Sequence, residues 1–137
     1  MSTAHQRDHK FVILVAFAVG VMAANLYYPQ PILALIATSL GLRPDAAGLI
    51  MTLTQIGYGL GVLFIVPLGD LFENKKLILT MIAVTTVAEL TLGISRDVMP
   101  YLIASVLAGI GASAVQIIVP YASHLFAPAM RGKIIGS

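Results

Sequence analysis

The stretch QIGYGLGVLFIVPLGDLFENKKLIL, residues 55–79, holds parts of two long apolar runs joined by the short charged segment DLFENKK. The run before this segment, 46–69, contains no charged residue, and the run after it, 77–94, contains a single acid. Further outward, residues 11–42 and 98–130 contain no Lys, Arg, Asp or Glu. Three of these four runs exceed the roughly 20 apolar residues that cross a bilayer core.

Runs of this length and composition are expected to be helical. Lipid offers no hydrogen bonds to exposed backbone groups, so a spanning segment satisfies them within its own helix. We therefore predict an all-α, polytopic membrane protein with four transmembrane helices within residues 11–126. The predicted helices are 11–36, 46–69, 77–94 and 99–124, with a cytoplasmic tail at 1–10 and a cytoplasmic loop at 127–137.

The overall composition excludes several classes of protein. Of 137 residues, 58% are hydrophobic and 10% charged, with a mean hydropathy of +0.94, whereas soluble domains average about 25% charged residues. A soluble globular domain and a disordered tail are therefore excluded. A net charge of +2 is too small for a nucleic-acid-binding face. Because the chain has no cysteine, disulfides, thiolate zinc sites and cysteine nucleophiles are excluded, and no metal or cofactor is predicted.

The distribution of Lys and Arg predicts the orientation. Six of the eight lie in the N-terminal tail, the loop between the second and third helices, or the C-terminal segment, and these are Arg7, Lys10, Lys75, Lys76, Arg131 and Lys133. Arg43 and Arg96 lie in the other two loops. By the positive-inside rule, the N-terminus is cytoplasmic. The alternative, a signal peptide cleaved after residues 21–23, is disfavoured because the apolar run continues through Leu40.

The first helix carries the segment NLYYPQP at 25–31. Pro29 and Pro31 each lack a backbone donor, so we predict a bend there with freed carbonyl groups. Asn25 and Tyr28, three residues apart, share a helix face. Two interpretations remain open: an interfacial tyrosine belt with amides that join helices, or a polar face that lines a substrate path.

Polar and small residues also recur along the second and fourth helices. Gln55 and Tyr58 share a face, Gln55 lies at a depth similar to that of Asn25, and Gly57 and Gly61 form a small-xxx-small pair that permits close helix approach. In the fourth helix we predict that one face meets protein or water and the remainder meets lipid. The residues of that face are Ser105, Gly109, Ser113, Gln116, Pro120 and Ser123.

Two acids in or near the helices are candidate functional groups. Glu89 is the only acid inside a predicted span and is a candidate proton site. It lies about 7.5 Å from the helix end, so the alternative is an acid tolerated near the membrane surface. Asp70 ends the second helix, where the helix dipole is negative and favours a cationic partner. Lys75 and Lys76 are the candidate partners, although their role could be confined to fixing orientation.

The segments NLYYPQPIL and QIGYGLGVLFIVPLGDLFENKKLIL together resemble the start of a major facilitator superfamily transporter, most closely the bacterial proton-linked efflux members. The resemblance covers nearly all of the chain, which would supply four helices of the N-terminal six-helix half. It implies a small-molecule substrate, a location in the bacterial cytoplasmic membrane, and missing helices as structural partners. The segment RGKIIGS, 131–137, resembles the loop that leads to the fifth helix.

The resemblance also implies roles for individual residues. Asp70, with Lys75 and Lys76, would form a gating loop, although Val66, Leu71 and Glu73 depart from the family pattern. In this fold the third helix tends to be peripheral, which favours the near-surface interpretation of Glu89. The residues expected to line a substrate pathway are Asn25, Tyr28, Gln55, Tyr58 and Gln116.

Two other functions stay open at this stage. The chain could be a truncated product without transport activity, which would expose polar faces that normally pack against the missing helices. It could also be a self-sufficient dimeric four-helix exporter that uses Glu89, although exporters of that kind carry their essential glutamate in the first helix. An enzyme is not expected, because the sequence lacks a zinc-protease motif, a nucleophile elbow and paired intramembrane acids.

Overall fold

The computed structural model describes residues 2–124, which form helices and turns without a β-strand. Four helical segments are long and apolar enough to cross a membrane, and these are Val12–Ser39, Ala47–Asp70, Asn74–Ile94 and Val98–Tyr121. The predicted all-α fold with four spans is therefore confirmed. The predicted loop at 127–137 lies outside the described residues.

The first span consists of two helices. Helix α1, Ser2–Asn25, begins well before the predicted start at residue 11. A turn and a 3₁₀ segment, Gln30–Ile32, then lead into α2, Leu33–Ser39. The predicted interruption at the prolines is confirmed, because Pro29 has no N–H with which to bond the carbonyl of Asn25.

The second and fourth spans are also interrupted. The second continues from α3, Ala47–Leu60, through a π-helical turn, Gly61–Ile65, into a 3₁₀ segment, Val66–Asp70. The third span is the continuous helix α4, Asn74–Ile94. The fourth comprises α5, Val98–Ala112, and α6, Val115–His124.

The break in the fourth span has a local cause. The Ser113 hydroxyl donates a 2.7 Å hydrogen bond to the Ile110 carbonyl. The Ser113 and Ala114 amides donate to carbonyls three residues earlier, at 3.2 and 3.1 Å. Such side-chain and i–3 bonds tighten a helical turn and end regular α-helix.

Helix α5 is the centre of the described bundle. In the fourth span, 50% of the most apolar 18-residue stretch is buried inside the protein, whereas the corresponding share in the other three spans is 6–17%. Small residues permit this burial on both sides. Gly57 lies against the Val106 carbonyl, Gly109 lies against the Thr54 carbonyl, and Gly111 lies against Thr85 of α4. The predicted close approach at the glycine pair of the second span is confirmed, since Gly61 also packs on Ser113 and Ile110.

The buried surface of the fourth span is wider than the predicted face, although Ile103 and Leu107, which lie off that face, are exposed as predicted. Ser105, Gly109 and Ser113 are buried as expected, but residues off this face are buried as well. These are Ala104, Ala108, Gly111, Ala112, Ala114 and Ile117. Gln116 and Pro120, which belong to the predicted face, are exposed. The sequence pattern underestimated the width of the buried surface because alanine and glycine suit both a lipid-facing surface and a tight helix contact.

Two ends of the bundle are distinguished by their basic residues. We call the end at the loop 71–73, followed by Lys75 and Lys76, the lysine end. The opposite end, with the loops 40–46 and 95–97, is the arginine end. A hydrophobic cluster of Leu40, Ile50 and Tyr101 lies at the arginine end and joins the first, second and fourth spans.

Candidate functional site

The carboxylate of Glu89 is bound by two side chains from the first span. Asn25 Nδ2 donates a hydrogen bond of 2.6 Å to Glu89 Oε1, and Tyr28 OH donates one of 3.1 Å to Glu89 Oε2. The three residues therefore form a polar contact between the first and third spans. Neither donor is charged, so the carboxylate receives hydrogen bonds without a counter-charge from these partners.

The interruption of the first span positions both donors. Asn25 is the last residue of α1, and Tyr28 lies in the turn that follows, where the chain leaves regular α-helix. In a continuous helix Asn25 and Tyr28 would share one face. In the observed turn both side chains still reach α4. Glu89 lies five residues before the end of α4, near the arginine end. The sequence predicted the acid and the two polar residues separately, and the structure brings them together.

A second polar contact joins the second and fourth spans. Gln116 Nε2 donates a hydrogen bond of 2.7 Å to Tyr58 OH. Tyr58 belongs to α3, and Gln116 follows the break between α5 and α6. Both residues were predicted to line a substrate pathway, and their contact is exposed in the described structure.

The fifth predicted pathway residue, Gln55, lies elsewhere. It lines an open groove of about 750 Å³ between the first and second spans, together with Gln30 and Thr52. Asn25 and Gln55 thus lie at different sites, because Asn25 contacts Glu89 and Gln55 lines this groove. The five predicted pathway residues occupy three locations in residues 2–124: the Glu89 contact, the Tyr58 contact and the Gln55 groove.

Asp70 borders a cavity of about 380 Å³ at the lysine end. Asn74 and Gln116 line the same cavity. The predicted partner Lys76 instead pairs with Glu73, with Nζ and Oε2 2.9 Å apart. Of the two ion pairs found in the described part of the chain, neither includes Asp70, so the expected contact with Lys75 or Lys76 is not formed in this structure.

Sequence reasoning missed two further residues at these sites. Asn74, the first residue of α4, lies beside Gly69 and helps to close the Asp70 cavity. Thr85 lies on the Glu89 side of α4 and also contacts Gly111 of α5. Neither position carries a motif, although Thr85 lies four residues before Glu89 and therefore on the same helix face. Among the residues whose side chains the structure describes, no three His, Asp or Glu come together to hold a metal ion.

Four apolar spans, three of them interrupted, with polar side chains meeting between spans, define a multi-pass membrane protein. Residues 15–137 match the sequence model of the Major Facilitator Superfamily. The chain belongs to this superfamily, as the resemblance in its first, second and third helices implied.

Curated relatives are named as transporters. The chain is 36% identical to the uncharacterized transporter YgaY of Escherichia coli O157:H7 over 133 residues, which cover 97% of the chain and 34% of the relative. The YgaY protein of Escherichia coli K12 gives the same values. "Probable transporter SCO4007" of Streptomyces coelicolor is 40% identical over 68 residues, covering 50% of the chain and 16% of that protein.

The chain therefore spans about a third of the length of the YgaY relatives. No solved structure gives a significant match.

Proposed function

We propose that the protein to which this chain belongs is a secondary active transporter that exports a small molecule across the bacterial cytoplasmic membrane in exchange for protons. The observation that carries this proposal is the interrupted first span, which presents Asn25 and Tyr28 to the carboxylate of Glu89. Secondary transporters place substrate and coupling-ion sites at discontinuous membrane helices. Superfamily membership and the transporter names of the relatives support the transport of a solute.

The polar residues at the three locations have different roles in this proposal. Asn25 and Tyr28 bind substrate near Glu89, which carries the exchanged proton. Gln55 in its groove, and the Tyr58–Gln116 pair, extend the substrate pathway towards helices that complete the cavity. This assignment is supported by the cost of burying amide and hydroxyl groups in lipid, which is lowest where they meet one another or a water-filled path.

Asp70 acts in gating at the lysine end. Its carboxylate lines a cavity between the second and fourth spans, at the C-terminal end of the second span. A carboxylate there is disfavoured by the helix dipole, so a nearby cation would stabilise it. In this proposal the cation lies beside Asp70 in one of the two conformational states of the transporter. In the present structure Lys76 pairs with Glu73, so we propose that the lysine exchanges partners as the transporter changes state.

Transport can be measured in everted membrane vesicles from cells that express the protein to which this chain belongs. We expect members of a panel of charged and uncharged small molecules to dissipate an imposed pH gradient in these vesicles and not in vesicles without the protein, because each exported molecule is exchanged for a proton. Asp70→Asn should lower the rate at least about fivefold, the lower range of coupling between conformational states. Asp45→Asn, which changes an exposed acid at the arginine end, is the matched control and should keep the wild-type rate.

Two results would contradict these proposals. If Asp70→Asn transports at the wild-type rate with equal expression, Asp70 does not gate. If no compound dissipates the gradient although the protein is present and folded, export coupled to protons is wrong. The chain expressed by itself in the same vesicles tests the alternative that these 137 residues have no activity. Superfamily membership favours the proposed transporter over a self-sufficient dimeric exporter.

The proposed orientation predicts a labelling pattern. The natural chain has no cysteine, so single cysteines introduced at Lys75 and Arg43 can be labelled without background. With the N-terminus in the cytoplasm, an impermeant maleimide should reach the Arg43→Cys variant in intact cells and the Lys75→Cys variant only in everted vesicles. Labelling of both positions from one side would overturn both the orientation and the alternation of the spans.

A further inference from the structure

The Gln55 groove lies between the first and second spans and has a volume of about 750 Å³. Three of its lining side chains are polar and uncharged, and these are Gln30, Thr52 and Gln55. Gln55 lies eight residues after the start of the second span, and Gln30 lies nine residues before the end of the first. At about 1.5 Å per residue, both positions are roughly 12–14 Å from the arginine end. They are therefore close to the midplane of a hydrocarbon core of about 30 Å.

The two glutamine side chains in this groove have no hydrogen-bond partner among the described residues. Asn25 and Gln116, by contrast, donate hydrogen bonds to side chains of other spans. An amide exposed to lipid without a partner is costly at membrane depth. We therefore expect the groove to hold water or a polar ligand that bonds to both amides.

The polar groups of the groove offer donors and acceptors side by side. Each amide carries an oxygen that accepts and an NH₂ group that donates. The Thr52 hydroxyl donates a 3.0 Å hydrogen bond to the Gly48 carbonyl, so its oxygen is left to accept from a ligand. Because a hydroxyl group both donates and accepts, neighbouring hydroxyls on one ligand match this set of groups. Leu33, Met51 and Ile56 supply apolar surface for the carbon skeleton.

The groove offers no charge to a ligand. Among the described residues, no Lys, Arg, Asp or Glu lines it, and Arg43 at the arginine end pairs with Asp45. An ion in such a groove would lose hydration without gaining a counter-charge. A purely apolar compound would leave the amides unpaired, and sites built to bond a hydroxyl discriminate strongly against analogues that lack it. The lining therefore selects an uncharged polar ligand.

We propose that the Gln55 groove binds an uncharged polyhydroxyl compound of about the size of a monosaccharide. Its hydroxyls bond to Gln30, Thr52 and Gln55, and its carbon skeleton lies along Leu33 and Ile56. This rests on the proposed function and deepens it by naming the substrate class. A helix from another part of the protein, packed into the groove, is the competing occupant and would exclude water from it.

Thiol labelling tests whether the groove holds water and binds such a compound. In the protein to which this chain belongs, with any other cysteine replaced by serine, cysteine is introduced at Ile56. This residue is 50% exposed, lines the groove and makes none of the proposed hydrogen bonds. We expect a water-soluble methanethiosulfonate reagent to modify Ile56→Cys in membranes open on both sides. We expect members of a panel of neutral pentoses, hexoses and hexitols to slow this modification. Val87→Cys, on α4 and outside the groove, is the control and should stay unmodified.

Further substitutions in the Ile56→Cys background identify the binding groups. Gln55→Leu should raise the polyol concentration that gives half protection roughly tenfold, because one or two neutral hydrogen bonds are lost. Thr52→Val should raise it roughly threefold or more, through the loss of one acceptor. Thr91→Val is the matched control and should have no effect. Thr91 also donates to the carbonyl four residues earlier, at 2.8 Å, but it lies on α4.

Charged relatives of the same compounds test the charge selectivity. D-glucosamine and D-gluconate should protect Ile56→Cys at least about tenfold less well than the neutral compounds, because the groove holds no counter-charge. Equal protection by charged and neutral compounds would overturn the proposal, as would no protection by the panel or an unchanged half-protecting concentration in Gln55→Leu. Absence of modification at Ile56→Cys would also overturn it, since lipid or another helix would then fill the groove.

Failure of this proposal is distinguishable from failure of the proposed function. The labelling assay does not require transport, and the vesicle assay uses charged as well as uncharged compounds. Proton-coupled export of charged compounds alone, together with no protection by the neutral panel, would remove only the assignment of the substrate class. Protection by neutral polyols without any proton-coupled transport would remove the transport function and retain the site.

Discussion

Replacing Gly57 by alanine will separate α3 from α5 and lower the free energy of unfolding by about 3 kcal/mol or more, at or above the usual range for overpacking. A Cβ at this position would overlap the carbonyl of Val106, with the carbonyl carbon at 2.9 Å and Cα at 3.0 Å. All three atoms belong to the backbone of α5, so no side-chain rotation relieves the overlap. The two helices must therefore move apart along their whole contact.

The measurement is reversible unfolding of the chain in mixed micelles by titration with sodium dodecyl sulfate. Gly59→Ala is the matched control, because nothing lies within 4 Å of a Cβ built at Gly59. Both variants make the same change within one turn of one helix, and replacement of glycine by alanine by itself favours helix. A Gly57→Ala variant as stable as Gly59→Ala would show that α3 and α5 do not meet at this glycine.

Replacing Gly111 by alanine will also be destabilising, by about 1–3 kcal/mol, but this loss can be partly reversed. The added Cβ would overlap the hydroxyl oxygen of Thr85, and the Thr85 backbone nitrogen and Cα lie at 3.0 and 3.1 Å. Thr85→Ala removes the hydroxyl, so the double variant needs a smaller shift between α4 and α5. We expect the two substitutions to couple by about 1 kcal/mol, within the range for residues in contact.

A double-mutant cycle in the same unfolding assay checks this expectation. Gly93→Ala, also at an uncrowded glycine, controls for the gain in helix propensity. Combining Thr85→Ala with Gly57→Ala should give additive losses, since Gly57 contacts a different side of α5. Additive losses for the Gly111 and Thr85 pair would mean that α4 does not pack on α5 through these two residues.

Several features of the fold followed from local sequence alone. Long neutral runs predicted four helices, because backbone groups in lipid must be satisfied within the segment. Pro29 and Pro31 predicted the interruption of the first span, because proline removes a backbone donor whatever its neighbours are. The spacing of Gly57 and Gly61 predicted close helix contact, since two small residues on one face leave room for another backbone. Each of these properties acts within a few residues.

The partners of the polar side chains were decided by tertiary structure. Asn25 and Glu89 are 64 positions apart in the chain, and Tyr58 and Gln116 are 58 apart. Helical periodicity places each residue on a face of its own span, but it carries no information about which span that face meets. The sequence could therefore name Glu89 as a proton site and Asn25 as a substrate-pathway residue without indicating that they touch.

The burial of α5 shows the same limit. Hydropathy determined by itself that this segment crosses the membrane, because transfer of its side chains from water to any apolar surroundings is favourable. Lipid and protein are similarly apolar, so hydropathy could not distinguish a central helix from a peripheral one. That distinction came from close contacts of α5 with two neighbouring helices, at Gly109 and at Gly111. These contacts exist only when the spans are packed together.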